Sequence, residues 1–142
     1  MADQKENIET LAQASLHDEA TLGRVVSELE GSSRRARQMA ASTLELVARE
    51  DVKILVPYAD QIVDALNRPE AQTRWGCLEV LARLVDVDSR ACDKAVDGAE
   101  AALFDESNRL VRLAAMRFLC ELGRTTDKRS VRVWPLIDEG IQ

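Results

Sequence analysis

The side chains able to do chemistry are few and scattered. The single histidine, His17, stands before two carboxylates, Asp18 and Glu19. That trio has the makings of a metal site, but the same acids also suit a helix start, where a carboxylate accepts free backbone N–H groups. The three cysteines, Cys77, Cys92 and Cys120, lack a histidine partner within reach in sequence and show no CxxC spacing. Cys77 and Cys120 fall at apolar helix positions, where Cys acts as a small hydrophobe. Cys92 lies near a helix start beside Arg90 and Lys94, a setting that favours a thiolate, although a filler role suits it better. Carboxylates are numerous, yet no spacing isolates an acid–base pair, and no glycine-rich loop is present to cradle a phosphate. These absences predict no catalytic activity, no cofactor and no metal.

Arginine is the residue whose placement recurs. Arg37, Arg74 and Arg112 are separated by 37 and 38 residues, so on a regular scaffold they fall in a row. A second concentration spans residues 107–134, where Arg109, Arg112, Arg117, Arg124, Lys128, Arg129 and Arg132 oppose Glu121 and Asp127, a net +5 in a chain of net −6. Guanidinium forks suit carboxylate and phosphate. This region therefore reads either as a docking patch for an acidic peptide or phosphate backbone, or as a stretch that pairs with the acidic segment 97–106 (Asp97, Glu100, Asp105, Glu106) and with solvent. Pairing is the preferred reading. Arg37, Arg74, Arg109, Arg112 and Arg117 are the candidate partner-binding residues.

The elements that must carry these side chains are helices. The chain has 142 residues, 46% of them apolar but only 4% aromatic, so one core is built from Leu, Val and Ala. Pro and Gly are few, which favours helix. The first residues, MADQKENIET, contain no apolar signal-peptide core, and no apolar run approaches the roughly 18 residues that span a bilayer. With unpaired thiols, this predicts a cytoplasmic protein that avoids membranes. The negative net charge disfavours general attraction to nucleic acid.

Apolar periodicity places the helices. A first helix covers residues 1–16, with Ile8, Leu11, Ala12 and Leu16 as a narrow stripe and Asp3, Glu6 and Glu9 in early turns. A second covers 20–30 through Leu22, Val25, Val26 and Leu29. Gly31-Ser32-Ser33 breaks it and caps a third, 34–49. A fourth, 52–67, contains Pro57, which kinks it or delays its start. A fifth covers 70–85, a capping loop 86–89 follows, and a sixth covers 90–104. The seventh, Asn108–Gly123, is apolar around most of its circumference and expected to be packed on several sides, with Asn108 as N-cap and Gly123 as the residue past its end. After a polar loop at 124–130, a last helix starts around Pro135, which suits a first turn. Trp75 and Trp134 are expected to plug the core.

Superposing the helices exposes a period. Leu29, Leu66, Leu103 and Ile141 are separated by 37, 37 and 38 residues. The residues three, seven and ten after each recurring arginine are Ala40/Leu44/Val47, Cys77/Leu81/Leu84 and Ala115/Leu119/Leu122, each a small residue followed by two larger aliphatics. A helical hairpin cannot cover its own apolar face, so such units stack. In Val111-Arg112 with Ala114-Ala115, and more loosely in Thr73-Arg74 with Gly76-Cys77 and Ala36-Arg37 with Ala40-Ala41, the chain resembles the HEAT/armadillo-type helical repeat family over about residues 20–142. Glu106 and Glu70 lie near the family's inter-helix Asp, while the first unit offers only Gly31-Ser32-Ser33.

The resemblance implies an all-α, right-handed α-α superhelix (a HEAT/ARM-like solenoid) of about seven or eight helices. It forms one domain over 1–142, with a leading helix at 3–16, units near 20–50, 51–86 and 88–123, and a partial unit at 127–142. It also implies that Arg37, Arg74 and Arg112 bond loop carboxylates or carbonyls of neighbouring units, and that the second helices form the binding surface. The expected function is a protein–protein interaction scaffold without catalysis. The alternative is nucleic-acid or phosphate binding through residues 107–134, to which HEAT-like DNA glycosylases lend some weight, although those are longer and cationic. A lyase-like accessory role is disfavoured by the missing Cys/His constellation. The last helix leaves Trp134, Leu136, Ile137 and Ile141 to be covered by folding back, by a homodimer partner, or by further chain.

Overall fold

The computed structural model describes the backbone of residues 2–141 and the side chains of residues 7–141; the side chains of Asp3 and Glu6, and Met1 and Gln142 altogether, lie outside that description. Every regular element among the described residues is helical. The α-helices are α1 (Ala2–His17), α2 (Glu19–Glu28), α3 (Arg34–Asp51), α4 (Ala59–Asp64), α5 (Ala71–Cys92), α6 (Val96–Leu103), α7 (Arg109–Gly123) and α8 (Asp127–Ile141). Six of these have ten residues or more. The other two, α4 and α6, are short cores of mixed segments, which departs from the expected seven or eight full helices.

The departures have local causes. Pro57 has no N–H to donate and its ring clashes with the preceding turn. The chain accordingly runs as 3-10 helix over Val52–Tyr58 and becomes α only at Ala59. Asp88 interrupts α5 with extended backbone angles (φ −152°, ψ 77°). Its Oδ1 accepts the Ala91 N–H at 3.1 Å, as an N-cap does. The expected 86–89 break is thus a kink rather than a loop. The last helix begins eight residues earlier than Pro135. Thr126 Oγ1 accepts the Arg129 N–H at 3.1 Å and starts it, and Pro135, on the exposed side, sits in mid-helix.

Two of the expected caps are present. Ser33 Oγ accepts from Ala36 N at 3.1 Å, and Asn108 Oδ1 from Val111 N at 3.0 Å. Gly123 is not the residue past the end of α7; it is the last residue of that helix, and Arg124 caps it in αR geometry. No described glycine has positive φ. Gly123 is small because α8 crosses there: a Cβ at this position would stand 2.6 Å from Val133 Cγ2. Gly76 does the same for α3 and α5, with a Cβ falling 3.1 Å from the Ala41 carbonyl oxygen.

The helices lie in two rows. α1 packs on α3, α3 on α5, and α5 on α7. In the second row α2 meets α4, the 3-10 turn after α4 meets α6, and α6 meets α8. All nine residues of the three recurring triplets are buried between the rows, with Leu44, Leu81 and Leu119 fully so. Leu29, Leu66 and Leu103 are buried too, whereas Ile141 is 70% exposed because no described segment lies beyond α8. One connected core results, with Phe118 among its largest fully buried side chains.

Candidate partner-binding face

The recurring arginines separate into two kinds. The Arg37 Nε–H donates to Glu70 Oε1, and Arg37 Nη1 donates to the Gly31 carbonyl at 2.9 Å. Arg74 Nη2 donates to Asp105 Oδ2 at 2.6 Å. Arg37 reaches the residue before α5 and Arg74 the loop before α7, so their first role is to tie α3 to α5 and α5 to α7. Arg112 is exposed and makes no ion pair among the described residues.

The carboxylates respond to these partners. Burial of Glu70 works to raise its pKa, but hydrogen bonds from Arg37 and its own backbone, with the nearby Arg37 and Arg34 charges, leave it below the usual glutamate value. Glu70 Oε2 is buried without a partner, which makes this ion pair sensitive to the loss of Arg37. Asp105 is held down to about 2 by the Ser107 hydroxyl, the Arg74 guanidinium and the Ser107 N–H.

Of the seven cations in the basic region 107–134, Arg117, Arg124 and Arg129 form ion pairs among the described residues, and none of these is with segment 97–106, the expected partner. Their partners from outside the region lie one unit back, on the exposed side of α5 and just after it. Arg117 bonds Glu79 at 3.2 Å, Arg124 bonds Asp86 at 2.6 Å, and Arg129 grips Asp93 through both carboxylate oxygens at 2.7 and 2.9 Å. Arg132 donates to the Asp93 carbonyl at 3.3 Å. Of that region, Arg109, Arg112, Lys128 and Arg132 are exposed and make no ion pair among the described residues.

What remains is a polarised face. The outward sides of α3, α5 and α7 line up, and toward their C-terminal ends the charges cancel through Glu45–Arg49, Glu79–Arg117 and Asp86–Arg124. Toward their N-terminal ends a shallow groove is lined by Arg34, Gln38, Ala71, Gln72, Trp75, Asn108 and Leu110. Leu110, in this groove with the half-buried Trp75, is 53% exposed, as is Leu113 three residues on along α7. Arg34 lines the groove; its chain neighbour Arg35, and Arg109 between the lining residues Asn108 and Leu110, are exposed, and none of the three makes an ion pair among the described residues, against the exposed Glu106 on the loop before α7.

The other candidates fall away. His17 and its carboxylates form no metal cluster among the described residues. Asp18 instead caps α2, taking the Thr21 hydroxyl at 2.6 Å and the Ala20 N–H at 3.3 Å, and these bonds lower its pKa. Cys92 is not a reactive thiol. It is fully buried with its Sγ toward the Leu81 carbonyl, and burial, then the Asp88 and Asp93 charges, push it up to about 12. Cys77 is likewise buried and pushed up to about 12. Cys120 is exposed rather than on the packed face of α7.

The expectation that α7 is packed on several sides missed this face. The signal was in the spacing. Leu110, Leu113 and Arg117 fall at i, i+3 and i+7, one side of a helix, away from the buried Val111, Ala115 and Leu122. An arginine on that stripe marks it as wet. Trp134 was misjudged in the same way: it is 58% exposed and plugs nothing among the described residues. No protein-family model, curated protein or solved structure matches the chain.

Proposed function

We propose that the chain is a non-catalytic interaction scaffold, a HEAT/armadillo-like right-handed stack, and that the N-terminal half of its second-helix face docks an acidic protein segment carrying an apolar anchor. The observation that carries this reading is a groove in which Arg34 lies with the aromatic Trp75 and the exposed Leu110. Arg35 and Arg109 are their neighbours in the chain, and none of the three arginines makes an ion pair among the described residues, whereas Arg117 and Arg124 are held by Glu79 and Asp86. An aromatic or aliphatic residue of the partner covers the floor and its carboxylates answer the arginines, so charge sets register and on-rate while the apolar contact sets lifetime.

The nucleic-acid reading through residues 107–134 has less behind it. Arg117, Arg124 and Arg129 are already held by carboxylates, and the chain is net −6. A phosphate backbone has to displace those partners before it can release counterions.

The test is a display selection of random peptides on the immobilised protein, read against Arg34→Glu/Arg109→Glu. Selected peptides are expected to be rich in Asp and Glu around one bulky apolar residue, to weaken at least tenfold on the double variant, and to quench or shift Trp75 emission. Enrichment of basic peptides, or binding indifferent to the double variant, removes the proposal. Retardation of duplex DNA at low salt that the same variant abolishes replaces it with the nucleic-acid reading.

A further inference from the structure

The end of α5 and the start of α8 border an open cavity of about 700 Å³ whose walls are cationic. Arg90, Asp93, Thr126, Lys128, Arg129 and Arg132 line it, four bases against one acid. Arg129 is already spent on that acid, since both Asp93 carboxylate oxygens accept from it at 2.7 and 2.9 Å. The other three bases, Arg90, Lys128 and Arg132, are exposed and make no ion pair among the described residues. Arg132 places one N–H on the Asp93 carbonyl at 3.3 Å, which leaves the rest of its fork open.

The spacing of the chain brings these charges together. Arg90 and Lys128 are 38 residues apart, one period, as are Lys94 and Arg132. On α8, Lys128, Arg129 and Arg132 fall within about 100° of one another around the helix, and the bond from Arg129 turns that side toward Asp93. One period back the arrangement differs: Lys94 is bonded to Asp60 at 3.3 Å, and Ala91 stands where α8 has Arg129. Other acids of α5 and α8 do not line the cavity. Asp88 caps the turn that carries Arg90, through the Ala91 N–H. Asp127 lies about 160° around α8 from Arg129, and Glu139 about two turns beyond Arg132, roughly 10 Å along the axis.

Like charges gathered in one cavity repel one another, and an anion between them removes that cost. The charge selects the anion. A single phosphate ester brings at most about two negative charges, whereas two linked phosphates bring enough to answer three cations. The size suits a small molecule, whose sites run from roughly 300 to 1,000 Å³.

We infer that this cavity binds a small phosphorylated ligand, one that presents a diphosphate group to Arg90, Lys128 and Arg132 over a floor made by the Arg129–Asp93 pair. The two guanidinium forks take phosphate oxygens in pairs and Lys128 adds a point charge. Thr126 Oγ1 accepts the Arg129 N–H at 3.1 Å and has its own proton to donate. The cavity shares no lining residue with the peptide-docking groove, so it stands apart from that proposal.

Titration calorimetry with inorganic diphosphate, inorganic phosphate and sulfate tests this, in about 0.1 M salt, where charges more than about 10 Å apart are screened. Diphosphate is expected to saturate at one per chain and to bind at least tenfold more tightly than sulfate or phosphate. Arg90→Gln, Lys128→Gln and Arg132→Gln, all at exposed side chains, are each expected to weaken it at least fivefold, with helix content unchanged by circular dichroism. Arg112→Gln, which removes the same charge outside the cavity, and Arg34→Glu/Arg109→Glu are expected to leave it unchanged. ADP, titrated alongside, distinguishes a diphosphate ester from the free anion as the source, and saturable binding of either supports the inference. Diphosphate that binds no better than sulfate, that fails to saturate by about 1 mM, or that ignores the three cavity variants overturns it. Duplex DNA that binds through the same three residues and is not displaced by diphosphate overturns it too.

Discussion

At the scale of single residues, the deciding contrast is between arginines that are spent inside the fold and arginines that are left over. Arg37 is only 13% exposed and Glu70 is fully buried. Removing Arg37 strands a buried carboxylate, so Arg37→Ala is expected to cost about 3–5 kcal/mol in urea unfolding. Arg109→Ala, at an exposed side chain with no ion pair among the described residues, is expected to stay within about 0.5 kcal/mol. If both substitutions cost the same, the division is wrong. Sequence spacing aligned Arg37, Arg74 and Arg112 correctly as equivalent positions. It did not distinguish their states, because an arginine's partner is a carboxylate some thirty residues away whose position depends on packing. Glu70 and Asp105 supply that partner for Arg37 and Arg74.

At the scale of elements, helix type was legible and helix ends were not. Ser33 and Asn108 act as the caps their types suggest, since capping is a local hydrogen bond. Gly123 illustrates the opposite case. Its position after an apolar run matched a helix terminator, but the constraint is tertiary, imposed by Val133 of the next helix. Gly123→Ala is therefore expected to destabilise the α7–α8 junction by about 1–3 kcal/mol in thermal unfolding, although alanine is the better helix former. A gain in stability instead makes Gly123 a propensity defect rather than a packing device. The early start of α8 has the same root: Thr126 caps it in a stretch whose polarity read as loop. The candidate face was half-legible. Trp75 and the arginines stood out by type, whereas the exposure of Leu110 and Leu113 depends on which side of α7 meets α5.

At the scale of the whole molecule, acid acts on the joints between units. Glu70 sits below its ordinary value of 4.5, Asp105 is lowered from 3.8 to about 2, and Asp93 is lowered chiefly by its bonds to Arg129. In the window between those values the unfolded chain binds more protons than the folded one, so stability falls as pH falls. These contributions are complete above about pH 5 and drain away toward pH 2. Urea midpoints measured across that range are expected to drop steadily, and Arg74→Gln is expected to flatten the Asp105 share of the slope. A flat profile argues that these bridges carry no stability.

The side-chain hydrogen bonds that reach beyond the neighbouring turns have a further consequence. Among the described residues, apart from the Arg37–Gly31 bond and the Cys92–Leu81 contact within α5, they span between 30 and 39 positions, from Gln72–Ser42 to Arg68–Leu29 and Arg132–Asp93. Ties this short leave the two termini ignorant of one another. On the proposed stacked arrangement such a chain is expected to form as a zip closes, tooth by tooth from wherever a hairpin first holds, and under tension to open from an end with the middle still shut.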